Sequence, residues 1–180
     1  HRMAARGGND PLLGGDRTGE AAQPAMRPLV AVVGGSQCTD EEAAWAAQVG
    51  RLLAEQGATV LCGGLGGVME AAARGAKTVP DALTVGILPG SDPRDANPYI
   101  DLPLATGMGE MRNALIVRAA RAVIAIGGGW GTLSEIALAQ RIGTPVVGLH
   151  DAFPSSIDIP RVETPADAVR WALARAQPSA

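Results

Sequence analysis

From Leu29 onward, short continuous apolar runs alternate with helical stretches. Leu29 to Val33 ends at Gly34-Gly35-Ser36, the pattern of a buried strand followed by a turn. A helix is predicted from Thr39 to about Gln56, stopped by Gly57: Thr39 and Glu42 form a Thr-x-x-Glu capping box, and Asp40 and Glu41 suit the positive end of the helix dipole. The unit repeats as a strand over Ala58 to Cys62, a turn at Gly63-Gly64-Leu65-Gly66-Gly67 and a helix over Val68 to Ala76. Leu83 to Leu88 reads as a third strand, Ser91 to Pro98 as an exposed loop, Tyr99 to Leu104 as a short fourth strand and Met108 to Arg121 as a helix. A strand over Ala122 to Ile126 then leads through Gly127-Gly128-Gly129 to a helix over Thr132 to Arg141 and a strand over Pro145 to Leu149, with His150 at its end. Thr164, Pro165 and Asp167 open a final helix.

Continuous apolar strands separated by helices predict a mostly parallel sheet covered on both faces. The expected fold is a single-domain, doubly wound, Rossmann-like α/β sandwich. Right-handed crossovers place its strand-to-helix turns on one carboxyl edge, where ligands bind at the point of strand-order reversal.

Composition narrows the class. The chain has 180 residues, of which 47% are hydrophobic and only 3% aromatic, so Ala, Val, Leu and Ile must fill the core. A net charge of -3 leaves no basic excess to neutralise phosphates, which argues against nucleic acid as the main partner. No apolar run is long enough to cross a bilayer, and no secretory pattern opens the chain. Two cysteines, Cys38 and Cys62, make no disulfide framework, so a cytoplasmic setting is expected. Met3 to Arg27 is rich in Gly, Ala and Arg, with Pro11 and Pro24. With His1 and Arg2 as a cloning remnant, residues 1–27 read as a flexible leader and 28–180 as the domain.

Three glycine-rich turns stand out: Gly34-Gly35-Ser36, Gly63 to Gly67 with Gly64 and Gly66, and Gly127-Gly128-Gly129-Trp130-Gly131-Thr132. Glycine lets backbone N–H groups approach a ligand, and a following helix N-terminus favours an anion, so a phosphorylated ligand is implied. The dinucleotide fingerprint is not met, because Gly34-Gly35 lacks the third spaced glycine and no acidic residue closes the strand at Cys62. Ser36 is placed to donate to the phosphate, and Met108 with Gly109 to let the preceding loop adapt. Trp130 either stacks on a base or packs on a neighbouring subunit; Glu70 either reaches a ribose hydroxyl or is solvated.

Arg112 and Glu135 form the second constellation. A guanidinium at Arg112 suits phosphate or carboxylate, and Glu135 follows the third glycine turn. Such a carboxylate could stabilise an oxocarbenium-like sugar or steer a water. Against this, Thr132-Leu133-Ser134-Glu135 is itself a capping box that would occupy Glu135 structurally. Cys38, beside a helix N-terminus, is expected to have a lowered thiol pKa but has no His or second Cys to support it; Cys62 and the lone His150 read as structural. No group of side chains has metal-ligand spacing, and neither a metal nor a resident cofactor is expected.

Met111-Arg112-Asn113, the run Gly127-Gly128-Gly129-Trp130-Gly131-Thr132-Leu133-Ser134-Glu135 and the two upstream glycine loops resemble the Lonely Guy (LOG) superfamily. It includes cytokinin-activating phosphoribohydrolases, proteins mislabelled lysine decarboxylases, and molybdenum-cofactor carriers. The resemblance spans about Pro28 to Leu149 and implies that Arg112 and Glu135 are catalytic. The activity it implies releases a free base and ribose 5-phosphate from a nucleoside 5′-monophosphate, in a homodimer. Two residues depart from the hydrolase motif: Gly127 stands where those enzymes have Pro, and Asn113 where they usually have Lys. Both look more like the carrier branch, for which the resemblance implies a phosphorylated pterin-type ligand bound without turnover. Pyridoxal-phosphate decarboxylation needs a lysine Schiff base, and the single lysine, Lys77, is predicted at the far end of a helix, away from the glycine edge. A distant resemblance to DNA-processing Rossmann proteins is disfavoured by the charge balance.

Overall fold

The computed structural model describes residues 26–150, 154 and 156–177. Along the chain run β1 (Leu29–Gly34), α1 (Asp40–Glu55), β2 (Thr59–Cys62), α2 (Val68–Ala76), β3 (Thr84–Leu88) and β4 (Leu102–Ala105). They are followed by α3 (Arg112–Ala119), β5 (Ala122–Ile126), α4 (Trp130–Ile142), β6 (Val146–Leu149), β7 (Arg161–Val162) and α5 (Pro165–Ala176). The strands form one seven-stranded sheet in the order β4-β3-β2-β1-β5-β6-β7, every neighbouring pair parallel. This is the doubly wound α/β fold that the alternation of apolar runs and helices predicts.

Alternate residues of the central strands feed two separate cores. Val30 and Val32 of β1 and Ala122, Ile124 and Ile126 of β5 pack with α1, α2 and α5. Ala31, Val33, Val123 and Ala125 point the other way, into the layer under α3 and α4. Because both faces are covered, the strands carry apolar residues at every position rather than at every second one.

Small side chains are a requirement of the α1–α2 contact. A Cβ on Gly50 would collide with the backbone carbonyl of Ala72, and one on Gly75 with that of Ala47. The two helices therefore meet backbone to backbone. Their N-termini differ in kind: Thr39 Oγ1 caps α1 by accepting from Glu42 N–H at 3.1 Å, whereas Gly67 opens α2 with no side-chain cap. Thr164 caps α5 in the same way as Thr39 caps α1, accepting from Asp167 N–H at 3.1 Å, with Pro165 at the first helical position.

Several boundaries differ from the sequence expectation. The helix expected over Met108 to Arg121 is a short 3₁₀ turn at Gly109–Met111 followed by α3, because Gly107 and Gly109 hold left-handed backbone at φ +64° and +58°. The fourth strand begins at Leu102 rather than Tyr99, after Asp101 has been tied to Thr84 and Lys77. The two-residue β7 has no apolar run that would announce it in the sequence. Residues 1–25, which hold nearly all of the expected leader, lie outside the described residues. Among the described residues no helix is long and apolar enough to cross a membrane.

Gly75→Ala should force α1 and α2 apart and destabilise the fold by roughly 2 kcal/mol or more. Urea unfolding should show a lower midpoint at unchanged slope; an unaltered midpoint would mean that the helices can separate freely.

Candidate functional site

Strand order reverses between β1 and β5. From β1 the chain builds outward through β2, β3 and β4, then returns by α3 to place β5 on the other side of β1. The turns leaving β1 and β5 diverge, and a crevice of about 330 Å³ opens between them. Gly34, Gly35 and Ser36 form one wall and Gly129, Gly131, Thr132 and Glu135 the opposite one. Arg112, Asn113 and Glu110 come from α3 and the turn before it, Leu65 from the second glycine loop and Met69 from the first turn of α2.

The other expected site residues serve or sit outside this lining. Gly64, Gly66 and Gly67 shape the second loop without lining the crevice. Gly63 lies directly beneath Arg112: a Cβ there would come within 2.7 Å of Arg112 Nη2 and of Met69 Sδ. Gly128, at φ +115°, turns the chain so tightly that a side chain would run into Thr132. Met108 and Trp130 are exposed, at 46% and 88%, and neither borders the crevice.

Arg112 is fixed by acceptors from three directions. Its Nε donates to Ile87 O at 2.9 Å, Nη2 to Gly63 O at 3.4 Å, and Nη1 to Asn113 Oδ1. Asn113 Nδ2 in turn donates to Ser134 Oγ at 3.3 Å, and Ser134 Oγ to Gly131 O at 2.6 Å. This chain links the guanidinium on α3 to the first turn of α4. Three of the five N–H donors of Arg112 are used in this way, which leaves two.

The capping box expected at Thr132-Glu135 does not form. Helix α4 begins two residues earlier, at Trp130, with Gly129 as its N-cap and no side-chain cap hydrogen bond. Thr132 and Glu135 are thus inside the helix, both buried, and Glu135 faces the crevice. Among the described residues no hydrogen bond or ion pair holds its carboxylate. Burial, with a smaller push from Glu110, raises the Glu135 carboxyl to about 7 against the opposing pull of Arg112.

None of the remaining candidates lines this crevice, although Cys38 stands beside Gly35 and Gly129 on its α1 side. Cys38 does not have the lowered thiol pKa expected beside a helix N-terminus: burial raises it, and so do the carboxylates of Glu42 and Asp40. Cys62 is fully buried and pushed up to about 11 by desolvation. His150 stacks on Trp45 with ring centroids 3.9 Å apart, and its Nδ1 lies 3.4 Å from Glu163. Lys77 follows the last turn of α2 and pairs with Asp101 at 2.8 Å, remote from the glycine edge. A larger groove of about 580 Å³ separates α1 from α5 at Leu52, Val169 and Leu173. It is apolar and distant from all three glycine turns, so size alone does not make it the site. Leu65, Met69 and Glu110 were missed in the sequence; the only signal was their proximity to the second glycine turn and to Arg112.

Residues 27–172 match the SLOG cluster4 family. An uncharacterized protein of Archaeoglobus fulgidus is 43% identical over 145 residues, covering 80% of this chain and 93% of its own length. Among solved structures, the molybdenum cofactor binding protein of the phototrophic bacterium Rippkaea orientalis is 35% identical with a TM-score of 0.77, over 83% of this chain and 98% of that one. The molybdenum cofactor carrier protein of Chlamydomonas reinhardtii is 28% identical with a TM-score of 0.73, over 83% and 98%.

Glu135 holds its proton more tightly folded than unfolded, with a pKa of about 7 against 4.5. The stabilisation this brings is complete below pH 4.5 and is lost as pH rises through about 7. Glu135→Gln should remove that fall. Urea midpoints at about pH 5 and about pH 8 test it; a fall of the same size in the variant would assign the titration to another group.

Proposed function

The chain belongs to the SLOG cluster4 family, and from that premise we propose that it binds and carries the molybdenum cofactor, a phosphorylated pterin-type cargo, in the crevice between β1 and β5. The observation that carries this reading is the first turn of α4. Where α1 and α5 are each capped by a threonine, α4 has no side-chain cap and opens on the crevice beside a buried, immobilised arginine. Backbone N–H groups at a helix N-terminus together with a fixed guanidinium form an anion cradle. Gly129 to Thr132 would take the terminal phosphate, with Ser36 donating from the opposite wall. Arg112 would supply the positive charge, and Leu65 and Met69 an apolar bed for the ring system. A volume of about 330 Å³ is at the small end of the range for small-molecule sites, roughly 300 to 1,000 Å³. The names of the Rippkaea and Chlamydomonas proteins, over nearly their whole lengths, support the same cargo.

The second reading is hydrolysis of a nucleoside 5′-monophosphate. It is favoured by Glu135, a buried carboxyl poised near neutral pH and free of the capping contact that would have occupied it. Gly127 weighs against it. Its φ of +58° is closed to proline, whose ring holds φ near −65°, so this loop does not have the backbone that a Pro-Gly-Gly turn requires at that position. A homodimer in the cytoplasm remains part of the proposal, with the exposed Trp130 and Met111 available for subunit contact.

Protein purified from cells that make the cofactor should release, on oxidation, about one fluorescent pterin per chain. Arg112→Ala should reduce that yield by roughly tenfold or more. No free base should appear from a panel of nucleoside monophosphates. Absence of pterin, combined with base release that Glu135→Gln abolishes, would reverse the order of the two readings.

A further inference from the structure

The crevice continues past the residues assigned above. Gly35 and Gly129 line both it and a second lobe of about 370 Å³, on the α1 side of the sheet edge, where Gln37, Thr39 and Glu42 stand. Accepting the first lobe as the site of a phosphorylated heterocycle, we propose that the second lobe binds a nucleoside. A pyrophosphate lying across Gly35 and Gly129 would join it to the first head. The ligand class is a two-headed, pyrophosphate-linked dinucleotide, and Glu42 accepts from the ribose hydroxyls of its second head.

Position is the first argument. Two lobes, one reaching α3 and the other the start of α1, joined over the carboxyl ends of β1 and β5, reproduce the general placement of dinucleotides at a point of strand reversal. What joins them is glycine backbone and the uncapped N-terminus of α4, the surface on which a pyrophosphate rests. A Cβ on Gly129 would meet nothing within 4 Å, so the saddle is open to a ligand.

Glu42 supplies the independent argument. Its place three residues after Thr39 predicts a carboxylate turned back onto the Thr39 N–H. Only half of that box forms: Glu42 N–H donates to Thr39 Oγ1, and among the described residues nothing donates to the Glu42 carboxylate. That carboxylate lies over Gly127 instead, so close that a Cβ there would come within 2.7 Å of its Cδ and Oε2. The glycine that departs from the hydrolase motif thus makes room for an acceptor at the rim of the second lobe. An unpaired carboxylate beside a phosphate path suits a pair of vicinal hydroxyls, since it can only accept hydrogen bonds.

Calorimetric titration with GMP and with diguanosine 5′,5′-pyrophosphate tests the proposal, as guanine shares the 2-amino-4-oxopyrimidine edge of a pterin. The wild-type chain should bind the two-headed probe at least about tenfold more tightly than GMP, and Glu42→Ala should lose that gain while GMP affinity stays within about twofold. Retained GMP binding also shows that the variant is folded. Equal affinities for the two probes, or a gain that survives Glu42→Ala, would overturn the second lobe and leave the first standing. A wild-type chain that binds neither probe would overturn the reading of the first lobe as well.

Discussion

Parallel pairing of β1 with β5, from Val30 opposite Ala122 to Gly34 opposite Ile126, is the contact on which the molecule is organised. It joins two strands that are far apart in sequence and whose crossovers leave in opposite directions. Their helices cannot occupy the same space above the carboxyl edge, so a gap is left there by topology rather than by side-chain choice. The glycine turns then decide what kind of gap it is. With no side chains to fill it, main-chain amides become its polar surface, and charged groups enter it from α3, from the turn before α3 and from α4.

Those charged groups are buried without being paired to one another. Arg112 is satisfied by carbonyl oxygens and by Asn113, not by a carboxylate. Glu135 keeps no partner among the described residues and accommodates its desolvation by holding a proton near neutrality. A direct ion pair would have neutralised the crevice and used up its hydrogen-bonding capacity. Keeping the two apart leaves an environment that favours a bound anion and can change its own charge by one within the physiological range.

Much of this was legible in the sequence where a signal is local. Val68–Ala76 and Ala122–Ile126 have the bounds that their apolar runs and flanking glycines indicate. Thr39 and Thr164 cap the helices they were expected to cap. The features that local pattern does not show depend on distant parts of the chain. Trp130 begins α4 although Gly-Trp-Gly reads as a turn, and that shift of two residues frees Glu135 from the cap that local pattern assigned to it. The burial that raises Cys38 outweighs the helix terminus beside it, and burial depends on packing rather than on neighbours in sequence. Gly63 and Arg112, separated by 49 positions, show no relation until the ends of β2 and β3 bring them together.

The anchoring of Arg112 on Gly63 and Ile87 has a thermodynamic side. Arginine loses about 2 kcal/mol of rotamer freedom when it is immobilised. Here that loss is incurred once, as the ends of β2 and β3 close around the guanidinium during folding, and not each time a ligand arrives. Association then has no long side chain to order, so a greater share of the interaction energy appears as affinity. The guanidinium is thus part of the folded framework, in place before any ligand reaches it.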